Sequence, residues 1–226
     1  MLFSEETIGF LRDLGENNDR PWFEANRERY ENEYVGAAKA LCERLKPRLA
    51  ELSPGLQVVP KVDGSILRIH RDTRFSSDKR PYKERFDLIF WKGAGKRQTS
   101  PALMLRYTPE KTYVASGLHS FDTKQVTRWR KAVIGPRGEG VPAMLEALEK
   151  GGYELGGKEY KRVPRGFDGS HPRAELLKYK SLTASVELDS DQVDDDVVMR
   201  HFEAMHPMVD WLVKNVGGGG VRLYSL

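Results

Sequence analysis

The sequence contains one cysteine among 226 residues. Cys42 alone excludes an intramolecular disulfide framework and a cysteine-built zinc cluster, and predicts a reducing compartment. No apolar run approaches the ~20 residues of a membrane-spanning helix. Met1 to Glu6 lack the basic-then-apolar layout of a signal peptide. A soluble, cytoplasmic protein is therefore expected, with no membrane partner. The five histidines show no metal-ligand spacing; His201 and His206 stand roughly 140° apart around a helix of ~3.6 residues per turn. His-Glu-x-x-His, Walker and dinucleotide-glycine motifs are all missing. No metal ligands are assigned from these histidines, and the cofactor is unknown from sequence.

A strong net charge is missing too. Lys and Arg number 37 against 33 Asp and Glu, a formal excess of only +4. Its location says more than its size. Between Lys61 and Arg97 lie eleven basic and five acidic residues, a local excess of six that leaves the remainder of the chain at −2. Local fields, not the total, draw anionic ligands into a site. The opposite extreme is the acidic run Glu187, Asp189, Asp191, Asp194, Asp195 and Asp196, which reads as a solvated loop whose last aspartates cap a helix.

Hydrophobic periodicity supplies the elements. Ser4 is a helix N-cap followed by Glu5 and Glu6, with Phe3 and Ile8 spaced as a hydrophobic staple. Asp19 and Pro21 open a second helix, read as one long run from Phe23 through Leu52 and kinked or ended by Pro47. Strands are expected at Leu56–Val59, Ser65–Arg71, Phe86–Trp91, Ala102–Tyr107 and Thr112–Ser116. Helices follow from Asp122 or Thr123 and over Val141–Lys150, the first with Val126, Trp129 and Val133 on its core face. Then come strands at Tyr160–Val163 and Ser181–Leu188, a short helix near Leu176 between them, and a last helix from Val197 to Val216. Closely spaced strands without intervening helices argue for antiparallel pairing. The expected architecture is α+β: a largely antiparallel sheet packed by helices from both chain ends, as one domain over residues 1–216 with a flexible glycine-rich tail at 217–226.

One stretch does not resemble core. In Arg68-Ile69-His70-Arg71-Asp72-Thr73-Arg74-Phe75-Ser76-Ser77-Asp78-Lys79-Arg80-Pro81-Tyr82, an extended backbone would send Leu67, Ile69 and Phe75 to one face. Ile66, Arg68, His70, Asp72 and Arg74 would go to the other. Arginine suits bidentate capture of phosphate or carboxylate. Arg68, Arg71, Arg74 and Lys79 are therefore candidate anion ligands, with His70 and Tyr82 beside them. Asp72 and Asp78 are the candidate catalytic carboxylates, able to orient the arginines, act as a general base or hold a divalent cation. Arg165, within a second basic cluster of Lys158, Lys161, Arg162 and Arg173, would extend such a pocket. Alternatively Arg68, Asp72, Arg74 and Asp78 form a self-neutralising ion-pair network that binds nothing.

The spacing R-x-x-R-D-x-R-F-x-x-D-K-x-x-Y resembles the signature of a mainly bacterial family designated domain-of-unknown-function family 2461. Asn17-Asn18 with Trp22-Phe23, Gly117-Leu118-His119 and Pro164-Arg165-Gly166-Phe167-Asp168 are similar to that family as well. The resemblance covers nearly the whole chain and carries no activity with it. Function is thus read from the residues: binding of a small anionic ligand at an arginine-rich strand-loop site, by an enzyme or a non-enzyme. The alternatives are a nucleic-acid binder, which the sequence pI near 9.0 permits, and a non-catalytic domain stabilised by the motif. Oligomeric state is not legible.

Overall fold

A computed structural model describes residues 1–93 and 95–217. Helices α1 (Glu5–Glu16), α2 (Arg20–Ala25), α3 (Arg27–Arg29) and α4 (Ala37–Leu52) precede strands β1 (Leu56–Gln57), β2 (Phe86–Lys92), β3 (Ala102–Tyr107) and β4 (Lys111–Leu118). Then follow α5 (Thr123–Ile134), α6 (Val141–Lys150), β5 (Glu154–Lys158), β6 (Tyr179–Asp189) and α7 (Asp195–Asn215). The six strands form one antiparallel sheet in the order β1-β2-β3-β4-β6-β5, and helices come from both ends of the chain. The protein is α+β. No helix among the described residues is long and apolar enough to cross a membrane.

The chain divides into two compact units. The first comprises Met1–Phe90, Met104–Val114 and Glu187–Arg200; the second comprises Trp91–Leu103, Ala115–Val186 and the described residues from His201. In the first, Ser4 caps α1 by accepting from Thr7 N, and Asp19 caps α2 by accepting from Trp22 N at 2.9 Å. Phe10, Leu11, Leu14, Phe23, Leu41 and Leu45 are wholly or nearly wholly buried. Stacked rings tie the helices to the strand: Tyr34 and Phe3 lie 4.2 and 4.3 Å from Phe86.

Two expectations about this unit need correction and a third needs an addition. The long helix from Phe23 is broken at Asn26 and passes through a π-helical segment, Tyr30–Gly36, before α4. The π register turns Tyr30, Tyr34 and Val35 inward together, which an α-helical reading of the spacing misses. Pro47 lies inside α4 and does not end it. Its lost hydrogen bond and ring clash cost ~3 kcal/mol, and burial of Leu41, Cys42, Leu45 and Leu49 on both sides of it outweighs that. The acidic run caps the last helix as expected, but it is also held by ion pairs rather than merely solvated. Asp194 accepts from Val197 N at 2.9 Å, while Asp195 and Asp196 pair with Arg44 and Arg48 at 2.8 and 2.6 Å. Lys111 holds Asp189 and Glu187 at 2.7 and 3.4 Å.

The second unit is built around Trp129, Val133, Leu177, Leu182, Phe202 and Met205, all fully buried. Asp122 and Gln125 form a capping box on α5. Arg173 closes its other end, donating to the carbonyls of Val133, Ile134 and Gly135 at 2.6–3.1 Å. The expected strand at Tyr160–Val163 is irregular, and the strand is β5 instead, paired antiparallel with β6. Its Glu-Leu-Gly-Gly-Lys sequence has poor strand propensity, so periodicity could not find it. Gly117, in the Gly117-Leu118-His119 segment, has φ +117, and a Cβ there would collide with the Leu182 carbonyl oxygen. Only glycine fits that close approach. Of the expected tail, Gly217 accepts from Gln125 Nε2 at 2.6 Å; residues 218–226 lie outside the described residues, as does Ala94 in the Lys92–Arg97 loop.

Candidate functional site

The motif is an irregular hairpin in the first unit, not a strand. Residues 65–71 run against 81–89 through the isolated bridges Ile66–Leu88 and His70–Tyr82 and the bonds Arg71 N to Pro81 O and Lys83 N to Ile69 O, both 2.8 Å. Pro81 has no N–H to complete a regular ladder. The expected alternation fails with it. Ile66 and Ile69 are both buried, Leu67 is half-buried, and Phe75 is 95% exposed at the loop. The Asn18 side chain clamps the return strand, accepting from Tyr82 N and donating to Tyr82 O, each at 3.0 Å, and to Glu84 Oε1 at 2.8 Å. Tyr82 is buried and stacks 4.0 Å from Phe23. Asn18, Phe23 and Tyr82, distant in sequence, are thus one structural device.

The arginine and aspartate heads pair, but at the surface. Asp72 takes a bidentate contact from Arg74 at 2.7 and 2.9 Å. Asp78 accepts from Arg80 at 2.8 Å and from Arg71 at 2.6 Å, and Arg80 reaches Glu84 at 2.6 Å. The Arg80 hydrogen bond first, and then that of Arg71, hold the Asp78 carboxyl well below the usual range; the Arg74 hydrogen bond lowers Asp72 to about 2. Lys79 Nζ donates to Thr73 O at 2.9 Å, and the Arg68 carbonyl accepts from Lys83 Nζ at 3.0 Å. The Arg68 side chain makes no ion pair among the described residues.

A cavity of about 520 Å³ adjoins this hairpin. Arg71, Asp78, Arg80, Tyr82, Lys83, Glu84 and Arg85 line it on one side, Leu11, Arg12, Gly15 and Glu16 of α1 on another, and the β3–β4 turn Thr108–Glu110 on a third. Of the residues singled out from sequence, Arg71, Asp78 and Tyr82 line the cavity. Arg68, His70, Asp72, Arg74 and Lys79 do not; they occupy the hairpin and its loop, where the His70 ring lies 5.2 Å from that of Tyr82. Arg165 is exposed in the second unit, and its neighbours Lys158 and Arg173 are engaged by Glu175 and the end of α5.

Sequence reasoning missed Arg12, Arg80, Lys83 and Arg85. The last three lie within the basic segment and its charge count included them; nothing about Arg12, on the exposed side of α1, marked it. Arg12 makes no ion pair or side-chain hydrogen bond among the described residues. Beneath the cavity lies a group the sequence also failed to mark. Asp87, 2% exposed, is met by Arg106 at 2.6 Å, Arg85 at 3.3 Å and Lys83 at 3.4 Å. Burial pushes its carboxyl up, but the Arg106 hydrogen bond and the three positive charges outweigh burial and hold it down. No three His, Cys, Asp or Glu side chains among the described residues converge as a metal site. Cys42 is fully buried and its thiol is pushed up to about 12 by burial, so it is no nucleophile.

An α+β protein with an arginine-rich hairpin over a charged cavity is the class that fold and site define. The sequence model of the family described as conserved hypothetical protein (DUF2461) matches residues 6–211, and the chain belongs to that family. Comparison with curated proteins finds no match.

Proposed function

We propose that the first unit's cavity binds a small ligand bearing a phosphate or carboxylate, in a cytoplasmic protein. The observation that carries this reading is Arg12, which makes no ion pair among the described residues and lines a cavity of about 520 Å³, a volume typical of small-molecule sites. Its companions are held in place: Arg71 and Arg80 by Asp78, Lys83 and Arg85 by Asp87. Cations fixed before the ligand arrives lose little entropy on binding. Asp78 serves here as an orienting group. Its oxygens are engaged by two guanidinium groups and it stays ionised, which makes it a weak proton acceptor. The reading is therefore of binding; a reaction at this site would draw its base from elsewhere. Stabilisation of the folded chain by inorganic phosphate, citrate or a phosphorylated sugar, at matched ionic strength, tests it. No rise in melting temperature with any of them would contradict it.

A second reading is favoured by one observation. Phe75 stands 95% exposed with the Arg74 guanidinium 5.7 Å from its ring, in the segment that also carries Arg68 and Lys79. Exposed aromatics beside cations are a stacking platform for single-stranded nucleic acid. Binding of an unstructured oligonucleotide that falls steeply with salt and is lost in Phe75→Ala would support this reading; undetectable binding at low salt would dispose of it.

A further inference from the structure

The second unit holds a cavity of its own. It has a volume of about 420 Å³ and is walled by α5, by Glu159 and Tyr160, and by Lys180 of β6. From α5 it is lined by Thr123, Val126, Thr127 and Arg130, a spacing of i, i+3, i+4 and i+7 that is one helix face. The opposite side of the helix is committed to the core. Trp129 and Val133 are fully buried, and Trp129 Nε1 donates to the Leu176 carbonyl at 2.7 Å, so the rotation of α5 is fixed. Val126, expected in the core stripe, is instead half-buried at the cavity.

Arg130 is the unusual member. Its guanidinium carbon lies 5.2 Å from the Tyr160 ring centroid and 5.9 Å from that of Phe167. Aromatic faces attract a cation and fix its plane, but they supply no counter-charge. No carboxylate among the described residues pairs with Arg130, and its Nε is buried without an acceptor. A buried donor left unmade is costly, so a structural role alone is a poor account of this arginine. The other two charges, Lys180 and Glu159, lie 3.5 Å apart and offset each other. The positive charge left over is that of Arg130. Phe121, Val126 and Tyr160 supply apolar wall, and the exposed hydroxyls of Ser120 and Thr123 are free to donate. The Pro164–Asp168 turn acquires a purpose. Gly166 adopts φ +85, Asp168 Oδ1 accepts from Ser170 N at 2.8 Å, and the shaped turn carries Phe167 to Arg130.

We infer that this cavity binds a small acid in which one carboxylate or phosphate is joined to an apolar group. The acid meets Arg130 and the hydroxyls, and the apolar part meets Phe121, Val126 and Tyr160. The volume suits a small molecule, not a polymer, and the mainly polar lining suits one whose acid group makes most of the contacts. Calorimetric titration of the full chain with phenyl phosphate, benzoate and inorganic phosphate tests the inference, with the arginine Nε–Hε nuclear magnetic resonance signals followed in parallel. Saturable binding of phenyl phosphate or benzoate is expected, with a shift of the signal that Arg130→Lys removes. That variant should weaken binding at least tenfold, and Arg12→Gln should leave it unchanged. Whichever aromatic acid binds better identifies the acid group. Val126→Glu, which adds a negative charge to the wall and spares the stacked rings, should abolish binding and serves if Arg130→Lys misfolds. The inference is overturned by no saturable binding of any of the three, by inorganic phosphate binding as tightly as phenyl phosphate, or by binding that Arg12→Gln removes and Arg130→Lys or Val126→Glu retains.

Discussion

The first unit contains two arginine–aspartate clusters of similar composition and opposite setting. Around Asp87, three cations surround a carboxylate that is 2% exposed. Around Asp72 and Asp78, the pairs are as short, but their side chains are 25–76% exposed. A buried carboxylate must be paired to be tolerated, and removing a partner strands charge. An exposed pair is screened and contributes little to stability. The comparison separates a buried carboxylate that the fold must keep paired, Asp87, from exposed carboxylates whose pairing the fold can spare.

The largest effect is expected where burial is deepest. Asp87→Ala should cost about 3 kcal/mol, the lower end for breaking a buried pair because the cations left behind reach solvent. The melting temperature should fall by about 6–12 °C at this chain length; a fall of under about 2 °C would erase the distinction between the clusters. Next comes pH. The Asp87 carboxyl is held below its unfolded value, so its contribution is full above the ordinary Asp range near ~3.9 and is lost as pH falls through the folded pKa. The gap in thermal stability between wild type and Asp87→Asn should therefore close below about pH 4; a gap that widens in acid would contradict the assignment. Asp78→Asn should shift the melting temperature by no more than about 2 °C, while weakening anion-induced stabilisation by releasing Arg71 and Arg80. The smallest effect belongs to Asp72→Ala, which lies off the cavity: melting temperature and anion response should both match wild type. A large loss of stability there would make the motif structural.

The comparison also explains what could be read in advance. Caps and periodic runs are local, so Ser4, Asp19, Asp122, Ala102–Tyr107 and Val141–Lys150 stood in the sequence much as they stand in the fold. The π segment at Tyr30–Gly36 and the glycine-bearing β5 did not, because tertiary packing overrides their local preferences. At the candidate site, the charge excess between Lys61 and Arg97 pointed to the hairpin beside the cavity but not to the heads that line it. Alternation placed Arg68, His70, Asp72 and Arg74 together, whereas the irregular hairpin turns Arg71, Arg80 and Lys83 to the cavity. Arg12 comes from a helix some sixty residues upstream, and Asp87 hides inside an apolar strand, Phe86–Lys92. Neither position carries a local signal.

The most direct test is the thermal unfolding of wild type and Arg12→Gln against increasing inorganic phosphate, citrate or a phosphorylated sugar at constant ionic strength. Arg12 is exposed and makes no ion pair among the described residues, so the variant without ligand should melt with wild type. With ligand present, the wild-type melting temperature should rise with concentration toward the ~2.7 kcal/mol expected at a hundredfold excess over Kd, and the variant should fail to follow. Equal rises in both proteins, or no rise in either, would contradict the claim that the arginine-rich cavity is an anion site.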